Sequence, residues 1–328
     1  MPRPNPYRPY NPSPEQRALV PNISGNKING LDEEVRRQPQ HVYWNDPDKI
    51  AHGDMQRWFY KNDPDNQALR DAREDRAAIT KLELPPVANS RPAGGKKEHT
   101  DRLMQQVNQF DFEMTGITPM RSQYLYQNAQ IAHQWVIMIG VVHDFSQISA
   151  APLDIAGAEV VRQYGRAMRG ALEIAAWIRG QGFDAEPHTG PMADKLLMIP
   201  PAIACGFGEL GKHGSMINAE YGSSFRLSAV TTSMPLQPTK AQPLWVDDFC
   251  TNCRICEDAC PPEAILPEKQ LVRGEQKWYV DFDKCIPFFN ENFGCAMCIA
   301  QCPWSKPGTA PRLSRKIANR HLRKMDEQ

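Results

Sequence analysis

Residues 247–265 read DDFCTNCRICEDACPPEAI, and residues 284–305 read KCIPFFNENFGCAMCIAQCPWS. Each stretch contains four cysteines and ends in the pattern CxxCxxxCP, so the two stretches hold eight of the nine cysteines in the chain. In the first stretch Cys250 precedes the next cysteine by three residues, whereas in the second stretch Cys285 precedes the next one by ten. Repeated CxxC steps indicate metal ligation rather than disulfide bonding.

The first stretch has the spacing CxxCxxCxxxCP, which is typical of bacterial ferredoxins with two 4Fe-4S clusters. Three closely spaced thiolates can reach three corners of a cubane, and a distant cysteine supplies the fourth corner. A pair of zinc sites is the alternative, because tetrahedral zinc also accepts four cysteines. We therefore predict two clusters, one bound by Cys250, Cys253, Cys256 and Cys302 and the other by Cys260, Cys285, Cys295 and Cys298. The ninth cysteine, Cys205, lies in an apolar stretch and is interpreted as a buried thiol.

Charge and hydropathy exclude several classes of protein. The chain of 328 residues has 38 basic and 38 acidic side chains and a formal net charge of +0, so a nucleic-acid partner is not expected. The longest apolar run, Trp135–Val142, is far shorter than the roughly 18 residues that suggest a membrane span. The twin arginines Arg36 and Arg37 are not followed by an apolar stretch, so we expect a cytoplasmic protein. The alternative is a protein whose twin-arginine signal has been removed.

Hydrophobic periodicity predicts a mixed α/β (α+β) core. The β-branched run Trp135–Val142 predicts a buried strand, and Phe225–Thr231 predicts a second strand. Between them, Asp154–Arg179 predicts a long helix that begins with Asp154 as its N-cap and stops at Gly180 or Gly182. The segment EPHTGP, residues 186–191, predicts a turn.

The chain divides into four parts by composition. The first is rich in proline, with an extended or surface-draped start and helical candidates at Asn66–Leu82 and Glu98–Gln109. The last is a basic helical tail that includes Arg320, Arg323 and Lys324, read either as a solvated surface helix or as a docking surface. The predicted parts are an N-terminal region at 1–115, a core at 116–245, a ferredoxin domain at 246–304 and the tail at 305–328.

The stretch CGFGELGKHGSMINAEYGSSFRLSAVTTSMPL, residues 205–236, precedes the two cysteine stretches. Together they resemble the corrinoid-dependent reductive dehalogenases, over about residues 116–304. The resemblance implies a nitroreductase-like core that buries a cobamide in its base-off form, with a two-cluster ferredoxin packed against the core. It also implies reduction of a carbon–halogen bond of an organohalide substrate.

The same resemblance implies three catalytic residues: Tyr164 on the long helix, Arg226 in EYGSSFR and His188 in EPHTGP. In the implied mechanism cobalt(I) attacks the halogen or the carbon, Tyr164 delivers the proton and the clusters restore cobalt(I). A guanidinium near a phenol favours the phenolate and so eases proton release. Without the resemblance, Tyr164 would be a core tyrosine, Arg226 would pair with Glu220 or Glu209, and His188 would be an ordinary turn histidine.

The glycine loop of residues 211–218 is predicted to contact the cobamide, because its backbone amides can approach phosphate or amide groups closely. Neither Lys212 nor His213 is assigned a chemical role. The predicted cofactor contacts are Lys212, His213, Gly214, Ser215, Met216, Ile217, Asn218, Tyr221 and Phe225.

The predicted function is therefore a reductive dehalogenase that receives electrons from a separate low-potential donor of the ferredoxin or flavodoxin type. The alternative enzyme is an epoxyqueuosine reductase, which shares the core and ferredoxin but acts on tRNA and typically has an aspartate where this chain has His188. A third interpretation is a non-catalytic iron–sulfur or cobamide electron carrier.

Overall fold

The centre of the core is a four-stranded sheet in which each pairing is antiparallel, and its strands lie in the order Met114–Pro119, Trp135–Val142, Phe225–Thr232 and Ala185–Thr189. The structure is a computed structural model that describes residues 5–63, 65–191 and 195–326. The strand predicted at Trp135–Val142 is confirmed, and that predicted at Phe225–Thr231 extends by one residue. The strands are β1 (Met114–Pro119), β2 (Trp135–Val142), β3 (Ala185–Thr189), β4 (Glu209–Leu210), β5 (Met216–Ile217), β6 (Phe225–Thr232), β7 (Gln270–Val272) and β8 (Glu275–Lys277).

One long helix covers one face of this sheet, and short helices build most of the ferredoxin region. The helices are α1 (Pro14–Ala18), α2 (Gly25–Asn29), α3 (Gly53–Lys61), α4 (Gln67–Ile79), α5 (Lys96–Val107), α6 (Phe145–Ile148), α7 (Asp154–Gly180), α8 (Ile199–Ala204), α9 (Val246–Cys250), α10 (Ile255–Ala259), α11 (Phe282–Glu291), α12 (Met297–Gln301) and α13 (Thr309–Asp326). Among the helices of the described residues, none is long and apolar enough to cross a membrane.

The long helix α7 is confirmed, but the predicted N-cap is wrong. Leu153 is the capping residue, with extended backbone, and Asp154 is already helical. The Asp154 carboxylate instead accepts a hydrogen bond from the amide of Ile155, at 2.8 Å. A carboxylate in the first helical turn still stabilises the helix through its dipole.

Two hydrophobic layers enclose the sheet. On one face, Ile139 and Val230 pack against Ile174 of α7, and the Ser228 hydroxyl donates to the Ala167 carbonyl of the same helix at 2.6 Å. On the other face, residues such as Ala229 pack against the loop that contains Cys205. Alternation along β6 therefore directs even-numbered side chains towards α7 and odd-numbered ones away from it.

The turn predicted at EPHTGP is wrong, because Ala185–Thr189 pairs with β6 as the edge strand β3. Proline is tolerated at an edge, since it lacks only one ladder donor there, and this is where Pro187 lies. His188 faces Ala229 across the pairing. Cross-strand partners share a face, so His188 lies on the sheet face opposite to α7.

The N-terminal region lies along the ferredoxin region, while residues 1–4 of its predicted extended start fall outside the described residues. The Arg8 guanidinium donates from Nε and Nη2 to the Cys260 carbonyl, at 3.0 and 2.6 Å. The Tyr10 hydroxyl donates to Glu291 at 2.7 Å. The tail is confirmed as helical in α13, although the Lys324 side chain and residues 327–328 lie outside the described part.

Candidate active site

The eight cysteines of the two stretches lie close together in the ferredoxin region. Cys250, Cys253, Cys256 and Cys302 are called the first cysteine group here, and Cys260, Cys285, Cys295 and Cys298 the second. Burial, together with the smaller effects of its neighbours Cys302, Cys250 and Cys253, raises the pKa of Cys256 to about 12. Burial also raises the pKa of Cys298 well above its usual value, with smaller contributions from Cys295, Cys285, Cys260 and, from the first group, Cys256. Buried thiols with raised pKa values become thiolates only where bound cations compensate the charge, which is what iron ligation supplies.

The second cysteine group surrounds a cavity of about 150 Å³. Among the described residues, no three His, Cys, Asp or Glu side chains are arranged to hold one metal ion. The four thiols instead face a shared space, and a cluster suits this arrangement because each thiolate binds a different iron atom. Its lining includes Cys260, Cys285, Cys295, Cys298, Phe288, Phe289, Met297 and, from the core, Arg226.

The first cysteine group is attached to the core through the glycine loop and β4. Glu209 accepts hydrogen bonds from the amides of Leu244 and Val246, at 2.7 and 2.8 Å, where α9 begins on its way to Cys250. The Lys212 ammonium is buried and pairs with Glu257 at 2.6 Å. Glu209 therefore holds the start of α9 rather than pairing with Arg226, and Lys212 is an internal ion pair beside the cysteines.

Tyr164 and Arg226, both predicted from resemblance, are in contact. The Arg226 guanidinium lies over the Tyr164 ring, 5.2 Å from the ring centroid. Such a cation–π contact is worth roughly 0.5–2 kcal/mol, depending on solvent exposure. Gly190 packs against the same ring, since a Cβ atom there would lie only 2.7 Å from Tyr164 Cε1. The ring is thus held from two sides by residues of β6 and the end of β3.

Arg226 has one guanidinium nitrogen without a hydrogen-bond partner among the described residues. It also has a neighbour, His143, that was not predicted from the sequence. The nitrogen is Nε of Arg226, which is buried. Burial lowers the pKa of His143 well below its ordinary value, and the Arg226 charge lowers it further. His143 is therefore neutral at physiological pH and adds no second positive charge beside Arg226. Its position directly after the predicted strand β2 was the available signal.

Three adjoining cavities lie between the core, the N-terminal region and the ferredoxin region. Tyr164 and Arg226 line the first, of about 290 Å³, together with Trp44, Tyr126 and Leu197. Trp44, Tyr126 and Leu197 also line the second, of about 370 Å³, which reaches Cys285. The third, of about 360 Å³, shares Leu197 with both. Each is near the lower end of the roughly 300–1,000 Å³ usual for ligand sites, so the connected group has room for a large ligand.

Some of the predicted cofactor contacts line the first cavity, beside Tyr164, and the others lie in the protein interior. Ser215, Met216 and Phe225 line the cavity beside Tyr164. The other members are held by internal contacts. These are Lys212 with Glu257, His213 with the Ser215 amide, Gly214 against Val280, Ile217 within the core, Asn218 with the Phe207 carbonyl, and Tyr221 against the core.

His188 lies apart from Tyr164 and Arg226. It is buried, its Nε2 is 2.9 Å from the Thr231 hydroxyl, and burial lowers its pKa to about 4. It does not belong to the lining of the cavity that contains Tyr164. A neutral, hydrogen-bonded histidine on the opposite sheet face is suited to a structural role.

Several lining residues come from the region that the sequence left without chemistry. They include Trp44 and the segment Arg36–Gln38 of the N-terminal region. Arg273, which was not predicted either, lines the second and third cavities from the ferredoxin region. The aromatic segment HVYWND, residues 41–46, stands out within an otherwise polar region. That contrast was the one signal that could have pointed to it.

The fold and site define an iron–sulfur protein with an α+β core, in which Cys285 of the second cysteine group lines one of the adjoining cavities. The family model named 4Fe-4S dicluster domain matches residues 249–306. Over 187 residues the chain is 33% identical to the tetrachloroethene reductive dehalogenase of Dehalobacter restrictus, covering 53% of this chain and 33% of that relative. It is 32% identical over 173 residues to the epoxyqueuosine reductase of Cellulophaga algicola, covering 45% of this chain and 51% of that relative.

A solved catabolic reductive dehalogenase has the same fold. It superposes with a TM-score of 0.71 at 17% identity, covering 90% of this chain and 47% of that one. The resemblance to the reductive dehalogenases is thereby confirmed, and epoxyqueuosine reductase is also related. The matched part spans about a third of the length of the dehalogenase from Dehalobacter restrictus.

Proposed function

We propose that this chain catalyses reductive dehalogenation, replacing a halogen of an organohalide with hydrogen. The observation that carries the proposal is the position of Arg226, which lines both the cavity beside Tyr164 and the cavity enclosed by the second cysteine group. The reaction consumes two electrons and one proton and releases halide. One residue thus lies between a source of electrons and a phenol that can donate a proton.

The lining of the three adjoining cavities suits the chemistry of a cobamide. Trp44, Tyr126 and Leu197 supply apolar walls, and arginine and glutamine side chains at 36–38 supply donors for amide or phosphate groups. A reduced base-off cobamide, when bound, would supply the low-potential electrons that break the carbon–halogen bond. Cys285 lines the same space, so the second cluster would lie next to the cofactor.

In this proposal Tyr164 donates the proton that replaces the halogen. Positioned acids contribute about 10²–10⁴-fold to such reactions. The Arg226 cation over its ring stabilises the phenolate that remains and attracts the departing halide. Gly190, by packing against the ring, limits its rotation.

Electrons would enter at the first cysteine group, where α13 packs. Ile317 and Leu313 of α13 contact the hydrophobic cluster that includes Cys250 and Cys302. A cavity of about 600 Å³ beside them is lined by Phe249, Leu313, Ile317 and Asn319 and by the cations Lys316, Arg320 and Arg323. Arg320 already pairs with Asp248, at 2.7 Å. Lys316 and Arg323 are thus suited to attract an acidic donor of the ferredoxin or flavodoxin type.

Docking is tested with the charge reversals Lys316→Glu and Arg323→Glu. Both should slow reduction of the first cluster by an acidic ferredoxin, and the slowing should shrink as ionic strength rises. Lys81→Glu, at an exposed lysine outside α13, is the matched control. Unchanged reduction rates in both α13 variants would remove this surface from the proposal.

The function is tested on anaerobically purified protein reconstituted with iron, sulfide and cobalamin. With a low-potential donor it should release halide from an aryl or alkyl halide. Reduction of the tRNA epoxide instead of halide release would favour the epoxyqueuosine reductase alternative. Binding of cobalamin without either reaction would favour an electron carrier.

A further inference from the structure

The third cavity, of about 360 Å³, is strongly basic. Its lining combines four cationic side chains with a single carboxylate and a few polar groups. The cations are Arg36, Arg37, Arg273 and Lys277, and the carboxylate is that of Glu275. Such an excess of cations in a concave site is suited to an anion.

Two regions that are distant in sequence build this basic cavity together. Arg273 is at the tip of the β7–β8 hairpin, in left-handed backbone conformation at φ 50°. Its amide donates to the Gly30 carbonyl at 2.9 Å, and the amide of Gly274 donates to the Glu33 carbonyl at 2.7 Å. These bonds fix the hairpin tip against the N-terminal region. The cations are therefore positioned before any ligand arrives.

The cations are only partly neutralised by the protein itself. Arg37 is paired with Glu33, at 2.6 Å, but Arg273 donates to the Asn29 carbonyl, which is uncharged. Lys277 is 3.9 Å from the nearest carboxylate oxygen, on Glu275. Burial lowers the pKa of Arg273 and of Lys277, and neighbouring cations lower both further. An anion at this place would relieve that repulsion.

The basic cavity adjoins the other two cavities, one of which is lined by Tyr164. It shares Pro39 and Arg273 with the second cavity and Leu197 with both others. A ligand that lies beside Tyr164 can therefore extend an anionic arm to Arg273.

We infer that the basic cavity binds the phosphodiester of a cobamide's nucleotide loop, an inference that rests on the proposed function. Arg273 and Lys277 are the principal contacts, because they have the weakest carboxylate pairing. The corrin amides contribute no net charge, so the phosphate is the part of the cofactor that these cations discriminate. Arg273 and Lys277 thereby select complete cobamides over corrinoids that lack the loop.

The test compares cobalamin with cobinamide, a corrinoid without the nucleotide loop. Binding to the full chain is measured by quenching of tryptophan fluorescence, since Trp44 lines the cavity. Arg273→Gln removes the charge at the hairpin tip, and Lys277→Gln removes the neighbouring one. Lys240→Gln, at an exposed lysine that is not part of the basic cavity, is the control.

Arg273→Gln should weaken cobalamin binding about 10- to 100-fold, the loss expected for one charge-assisted contact, and leave cobinamide binding within about twofold. Lys277→Gln should also weaken cobalamin binding and spare cobinamide binding. Inorganic phosphate should compete with cobalamin but not with cobinamide. Equal effects on both ligands, or none on either, would overturn the phosphate site while leaving the proposed function intact. Failure of the unmodified protein to bind either corrinoid would overturn both.

Discussion

The Arg226 guanidinium rests on the face of the Tyr164 ring, 5.2 Å from its centroid, and not at its hydroxyl. The contact leaves the phenolic oxygen free to meet a substrate while a positive charge stays beside the ring. It also couples the two side chains, because neither can leave without losing the cation–π attraction. Substitutions at either position should therefore affect turnover in related ways.

Tyr164→Phe should lower turnover by about 10²–10⁴-fold, because the proton donor is lost while the ring remains over Arg226. Halide release under single-turnover and steady-state conditions measures this. Iron and cobalamin contents should match those of the unmodified protein. Retained turnover at matched cofactor content would exclude Tyr164 as the proton donor.

Arg226→Gln should lower turnover by about 10²–10³-fold, the usual loss when one preorganised charge is removed. Arg226→Lys should recover part of it, since the charge remains but the planar stacking on Tyr164 is lost. The second cluster's reduction potential, followed by electron paramagnetic resonance, should also fall, because Arg226 lines the cavity of that cysteine group. A Lys variant no better than the Gln variant would show that charge is not what Arg226 contributes.

Cys298→Ser and Cys253→Ser should each remove one cluster and leave the other. Iron analysis should therefore fall from about eight atoms per chain to about four in either variant. The free thiol Cys205 is the control, because it is buried and donates to the Ala202 carbonyl at 3.3 Å. Cys205→Ala should keep all the iron, whereas loss of iron there would mean that the ligand assignment is incomplete.

His213 should make stability depend on pH. Burial lowers its pKa from 6.5 to about 4, so the unfolded chain binds this proton more readily than the folded chain. Stability is consequently lost as pH falls from about 6.5 towards 4. Between pH 7.5 and 5 the unmodified protein should lose about 2 kcal/mol more unfolding free energy than His213→Asn. Urea denaturation under anaerobic conditions measures this, and identical losses would contradict the assignment.

Local sequence patterns predict the helices and strands whose own residues carry a clear hydrophobic pattern. The apolar run Trp135–Val142 and the long periodic segment Asp154–Arg179 each bury a face, so pattern alone identifies them. EPHTGP was mistaken for a turn because its partner, β6, lies about 40 residues away and supplies the strand pairing.

The cavity was harder to predict for the same reason. Cysteine spacing identifies ligands because the cluster imposes it, and family resemblance indicated Tyr164 and Arg226. Trp44 and Arg273 are separated by more than 200 residues and meet only after the chain folds. Local periodicity cannot predict such a contact, because the contact depends on how the N-terminal region packs against the β7–β8 hairpin.

The contact of Arg8 with the Cys260 carbonyl closes a loop of 252 residues. The cysteines of the two stretches lie within about 50 residues of one another, so their encounter costs less chain entropy than this closure does. We therefore expect cluster insertion to precede docking of the N-terminal region, which then covers the loop that carries Cys260. Delivery of iron and sulfide during biogenesis would thus take place on an open intermediate.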